Sequence, residues 1–181
     1  MGTRRQIALL RGINVGRAKR VAMADLRKLI TDLGYSGVRT VLNSGNVVYD
    51  CPAVPAAESA SRIEEALVLK LGVGARVTVL DAEQLAHVVE DNSLRVLASD
   101  PARLLVAVLN NPADRERLLP LTHQSWEPEA FAVGRWAAYL WCADGVLASR
   151  AAAMGKLLGD AVTTRNWTTI SKLHALACEP A

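Results

Sequence analysis

Three short polar segments of this chain carry residues able to do chemistry. The first, Arg11-Gly12-Ile13-Asn14-Val15-Gly16-Arg17-Ala18-Lys19-Arg20, joins a predicted strand to a predicted helix. A loop in that position aims backbone N–H groups and a helix N-terminus at an anion. Arg11, Arg17, Lys19 and Arg20 add positive potential. The same glycines also suit a tight turn followed by a solvated basic stretch. The second segment, Asn43-Ser44-Gly45-Asn46, can present Ser44 and Asn46 to a ligand, and its composition equally suits a hairpin turn. The third runs Thr163-Thr164-Arg165-Asn166-Trp167-Thr168-Thr169 and leads to Lys172. Asn166 there is a good N-cap for a final helix, with Thr169 at the N3 position. Arg165 suits a phosphate or carboxylate, and Trp167 suits stacking on a ring. A buried structural arginine beside a capped helix would have the same sequence.

Other chemistries find little support. The glycine spacing fits neither a Walker A loop nor the dinucleotide fingerprint. His87, His123 and His174 are far apart, and Cys51, Cys142 and Cys178 form no C-x-x-C pair, so no metal and no cofactor is expected. No G-x-S-x-G elbow occurs. Lys19, Ser44 and His174 are the only weak candidates for a base or nucleophile, and the catalytic residues, if any, are unknown.

The elements that must position these segments can be read from periodicity. Gln6–Arg11 is a strand, and Met23, Leu26, Leu29, Ile30 and Leu33 repeat at helical spacing before Gly34. Val38–Leu42 and Val47–Asp50 are strands around the second segment. A helix through Ile63, Leu67 and Leu71 ends at Gly72, and Arg76–Leu80 is β-branched. Asp81 and Gln84 have capping-box spacing and open a helix to about Asp91. Leu104–Leu109 suits a central strand, and Asn110-Asn111-Pro112 starts a short helix through Leu119. Ala130–Val133 and Trp136–Cys142 flank a hairpin turn at Gly134-Arg135. Alternation along the second of these strands points to core packing rather than a base-stacking sheet face. Ala148–Leu158 and Trp167–Ala177 are helical. Both halves share a β-α-β-β-α order. This predicts an α+β protein of two ferredoxin-like βαββαβ-type units packed together, spanning 1–81 and 82–181, with a C-terminal helix.

Composition sets the frame. The chain has 181 residues, 51% of them hydrophobic and 22% charged, within the range of folded proteins. Its apolar runs, such as Leu104–Leu109, are far short of the roughly 18–20 residues of a membrane span. Three unpaired cysteines and the short apolar run after the N-terminal arginines predict a cytoplasmic protein with reduced thiols. The net charge of +3 is uneven: residues 1–30 hold eight basic residues against one acid, Asp25. That asymmetry points to an anionic partner.

Together the residues resemble a known family. Arg11-Gly12-Ile13-Asn14-Val15-Gly16, then Met23-x-x-Leu26, Ser44-Gly45-Asn46-Val47-Val48 and Thr164-Arg165-Asn166-Trp167-x-Thr169 look like the signature segments of the bacterial domain-of-unknown-function 1697 family. The resemblance runs from about residue 6 to 177 and implies a pair of ferredoxin-like units, without an established activity. Arg17, where that family usually has a second glycine, is a departure. Asn92-Ser93-Leu94, in place of Asn-Pro and an aromatic, is another.

The leading expectation is that the three segments meet in one cleft that binds a nucleotide or a nucleic acid phosphate. Arg11, Lys19 and Arg165 would meet the anion, Asn14, Ser44, Asn46 and Asn166 would hydrogen-bond it, and Trp167 would pack or stack. The alternatives are an enzyme acting on a small phosphorylated or carboxylated substrate at the same cleft, and a scaffold whose signature residues tie the fold together.

Overall fold

The computed structural model describes residues 2–180. Contacts divide the chain into two units. One runs to Glu83 and resumes at Lys172; the other is Gln84–Ser171. Each is an antiparallel four-stranded sheet with helices.

In the first unit the order is β1 (Thr3–Arg11), α1 (Met23–Asp32), β2 (Ser36–Val41), β3 (Asn46–Pro52), α2 (Ala56–Leu71) and β4 (Arg76–Asp81). The strands lie in the order β2-β3-β1-β4, the ferredoxin-like arrangement. Alternation along β1 puts Ala8 and Leu10 on the helix-facing side. There they join Val47, Tyr49, Val77 and Val79, and Leu26, Ile30, Ile63 and Leu67 close over them from α1 and α2. Tyr49 is fully buried, stacks on Tyr35 at 4.9 Å, and donates its hydroxyl to Gln6 Oε1 at 3.1 Å. Buried Gln6 in turn donates to Val54 O at 2.8 Å. The polar atoms taken out of water are thereby matched. Gly72 ends α2 in the left-handed conformation, with its N–H on Val68 O and that of Val73 on Leu67 O.

The second unit repeats the arrangement. α3 (Ala82–Glu90) leads in, followed by β5 (Leu104–Leu109), β6 (Ala130–Val133), β7 (Ala137–Trp141), α4 (Ala151–Leu158) and β8 (Val162–Asn166), in the sheet order β6-β7-β5-β8. β5 is buried at every position, as its unbroken apolar run requires. Where the first unit has α1, this one has 3-10 turns at Pro112–Arg117 and Leu119–His123. Pro120, which lacks an N–H, bars any α-helix from continuing past Leu119. Asn111 caps the first turn, its Oδ1 accepting from Ala113 N at 3.0 Å.

Three further expectations need correction. Thr163–Asn166, given no strand in the sequence reading, belongs to β8, paired antiparallel with β5. Its polar residues occupy an edge strand with a single neighbour, where an apolar pattern is not demanded and β-branched Thr163 and Thr164 fit well. The hairpin turn lies one residue later than expected, at Arg135-Trp136, because Gly134 N donates to Ala137 O at 2.8 Å. Asp91 sets that turn, taking Arg135 N at 2.9 Å and the guanidinium on both oxygens at 2.9 and 2.7 Å. Those bonds hold the Asp91 carboxyl below its ordinary range. The chain end also departs from the expected 82–181 unit. The last helix, α5 (Trp167–Ala177), finishes among contacts of the first unit. Arg39 Nη2 donates to Leu176 O at 3.2 Å and its Nη1 pairs with the Glu179 carboxylate. Arg5 grips Asp50 with two bonds, at 2.9 and 3.1 Å, and reaches Ala177 O at 3.4 Å and Glu179 O. Cations at a helix C-terminus match its unpaired carbonyls. Among the described residues, no helix is long and apolar enough to cross a membrane.

Tyr139 is buried in the second unit and donates its hydroxyl to Val88 O at 2.6 Å. Burial holds this phenol well above its ordinary value. The folded state therefore keeps a proton that the unfolded chain loses from pH 10 upward, and stability falls as pH rises through that range. Tyr139→Phe should cost about 1–3 kcal/mol at pH 7 by leaving Val88 O unmatched. Its unfolding midpoint should also fall less steeply than the parent's between pH 9 and 11. Urea titrations across that range test both statements.

Candidate functional site

The loop between β1 and α1 and the turn between β2 and β3 are one structure. Asn14 sits at φ 54°, a left-handed conformation that asparagine tolerates better than most residues. From there its side chain reaches both neighbours. Nδ2 donates to Val21 O at 2.9 Å and to Asn43 O at 2.7 Å, while Oδ1 accepts from Val21 N at 2.9 Å. Its backbone N–H goes to Lys19 O at 3.0 Å. The carboxamide thus closes the loop on itself and ties it to the turn.

The turn is built to receive it. Gly45 has φ +83°, and a Cβ at this position would lie 2.7 Å from Ile13 Cδ1 and 2.8 Å from Leu10 Cβ. Its carbonyl accepts from Leu10 N at 2.8 Å. Asn46, fully buried, donates to Val41 O and to Ser44 Oγ, both at 2.8 Å. Leu42 at φ 59° ends β2 and starts the turn.

Beside this pair of loops lies an open groove of about 670 Å³. Its lining mixes the aliphatic residues Ile13, Val15, Val21 and Met23 with Asn14, Arg20, Asn43 and Ser44. The groove includes Ala22, the residue before α1, and no side chain caps that helix start. Arg20 is exposed, and among the described residues its guanidinium has no carboxylate partner. Exposed Arg17 and Lys19 stand in the same loop, and exposed Asp25 in the first turn of α1 is the one nearby acid in the sequence. The charges favour an anion, with Asp25 subtracting from the effect.

The expected site residues therefore separate by role. Asn14 and Ser44 line the groove. Lys19 supplies the carbonyl that holds Asn14 N and leaves its ammonium exposed. Asn46 is buried beneath the turn. Arg11 ends β1 half-buried, opposite Arg76 of β4. Arg165, Asn166 and Trp167 belong to the second unit. Arg165 stands opposite Val106 on β8, and burial pushes its guanidinium down to about 10. Asn166 Oδ1 accepts from Thr169 N at 3.0 Å and from Thr169 Oγ1 at 2.9 Å, the cap its position predicts. Trp167 opens α5, half-buried. Arg20 is the groove residue that motif reasoning passed over. Its only sequence signal was membership of the basic cluster. Among the described residues, no group of histidine, cysteine and acidic side chains is arranged to hold a metal ion.

Comparison with known proteins adds a family and a fold. The family described as "Protein of unknown function (DUF1697)" matches residues 3–139. That span contains the Arg11 loop and the Ser44 turn and stops before Arg165. No curated protein matches the chain. Among solved structures, the conserved bacterial protein SP0830 from Streptococcus pneumoniae is 21% identical, with a TM-score of 0.75 over 97% of this chain and 99% of that one. At that identity the likeness is one of fold.

Gly45→Ala combines a left-handed backbone with two contacts no Cβ tolerates. It should cost about 2 kcal/mol or more, read as a lower midpoint in urea. A substitution at exposed Gly16, where a Cβ meets nothing within 4 Å, carries only the backbone strain and should cost less.

Proposed function

The chain belongs to the DUF1697 family of proteins of unknown function, and from that premise we propose that its first unit binds a phosphate-bearing ligand in the groove beside Asn14. The class includes nucleotides, nucleic acids and small phosphate esters. The observation that carries the reading is the groove itself: about 670 Å³, open, with Arg20 in its wall and the uncapped start of α1 at its edge. The first turn of a helix has N–H groups with no intrahelical acceptor, and these favour an anion. Arg20 supplies the charge-assisted bond. Asn14 shapes the groove and does not serve the ligand, because both its amide hydrogens are already donated.

A second reading has its own observation. Asn14, Asn46 and Asn166 all bond through their side chains to other groups of the protein. A scaffold whose signature residues only hold loops and caps would look the same at those positions.

Calorimetric titration with inorganic pyrophosphate and with a single-stranded oligonucleotide, each at two salt concentrations, separates the readings. Under the first, at least one probe binds and weakens with added salt. Arg20→Ala then loses about tenfold or more in affinity at unchanged melting temperature. Absence of binding by the parent protein, together with a large loss of stability in Asn14→Ala, would favour the scaffold.

A further inference from the structure

Resting on the phosphate-binding reading, we infer that the groove's ligand is a phosphate monoester whose other substituent is aliphatic rather than an aromatic base. Two features of the groove lead there. One is what lines it. No lining residue is aromatic, so a nucleobase would find no ring to stack on. The rings of the first unit are committed elsewhere: Tyr35 and Tyr49 lie buried and stacked on one another in its core. The other is the composition of the lining: Arg20 stands there with exposed Val15 and half-buried Met23, over the core residues Ile13 and Val21.

Val15 gives this composition its significance. It is 71% exposed in the groove lining, on a loop whose other exposed side chains are Arg17, Ala18, Lys19 and Arg20. A β-branched apolar side chain in that position gains from cover, and a phosphate alone cannot supply it. An alkyl chain running from the phosphate at Arg20 across Val15 and Met23 would bury methylenes against methyl groups. Fully covering one methylene strengthens binding by about fourfold, so partial cover of a six-carbon chain should give about tenfold or more. The same chemistry is found in a soluble alkyl phosphate and in a lipid with a phosphate monoester headgroup, and the experiment distinguishes them.

Calorimetry with inorganic phosphate, hexyl phosphate and adenosine monophosphate tests the inference on the full chain. Hexyl phosphate should bind about tenfold more tightly than inorganic phosphate and more tightly than adenosine monophosphate. Val15→Ser, at an exposed position and therefore safe for folding, should remove most of the hexyl advantage and leave inorganic phosphate binding unchanged. Arg20→Ala should weaken all three. Co-sedimentation with phosphatidylcholine vesicles carrying phosphatidic acid then assigns the source: retention on vesicles points to a lipid headgroup, and its absence beside hexyl phosphate binding points to a soluble ester. Hexyl phosphate binding no tighter than inorganic phosphate, a preference for adenosine monophosphate, or a hexyl advantage that survives Val15→Ser overturns the inference and leaves phosphate binding through Arg20 standing. If inorganic phosphate, pyrophosphate and all the esters fail to bind, the underlying reading falls with it.

Discussion

One carboxamide organises the part of this molecule that looks most functional. Asn14 bonds to Val21 through both N–H and C=O, as a strand partner would, and extends a further bond to Asn43 O. The loop from Gly12 to Arg20 has no secondary structure of its own to satisfy its backbone. Without this bridge the loop carrying the basic side chains would lose its tie to the Asn43 turn. Gly45 completes the arrangement by letting Leu10 and Ile13 approach the turn more closely than any side chain would permit. The shape of the groove is thus set by hydrogen bonding and steric fit, and its charge comes from residues that play no part in that fit.

This division of labour explains what sequence reading captured. The periodic apolar residues of α1, α2 and β5 announced themselves, because burying one face imposes a period. The expected two ferredoxin-like units follow from those elements and are present. Thr163–Asn166 could not be read as a strand in the same way. An edge strand needs hydrogen bonds from one neighbour only, and those leave no apolar signature in the side chains. The 3-10 turns after β5 were half legible: Pro112 and Asn111 mark the start, but Pro120 has to be weighed against a pattern that otherwise continues a helix.

The candidate site was legible as a set of segments and misleading as a set of roles. Asparagine, serine and glycine in loops suggest a ligand to be held. Here Asn14 and Asn46 direct their amide hydrogens to carbonyls and a hydroxyl of the protein, and Asn166 caps a helix. The distinction depends on which carbonyls lie within reach, and chain-distant partners such as Asn43 for Asn14 are set by the register of β1 on β3. Arg20 illustrates the converse. It belongs to no motif, and only its position in the groove wall separates it from the other cations of the loop.

The clasp of Arg5 and Arg39 on the end of α5 has a temporal consequence. The first unit is discontinuous in sequence, and its arginines wait for partners as far away as Glu179. During synthesis β1 to β4 emerge early and can pair at once. The clasp can form only after the whole second unit has left the ribosome. Contacts of such long separation close large loops and arrive last. The nascent first unit must therefore persist with Arg5 held by Asp50 alone and Arg39 without its helix-end partners, stabilised by its own sheet and helices, until the final helix comes back to it.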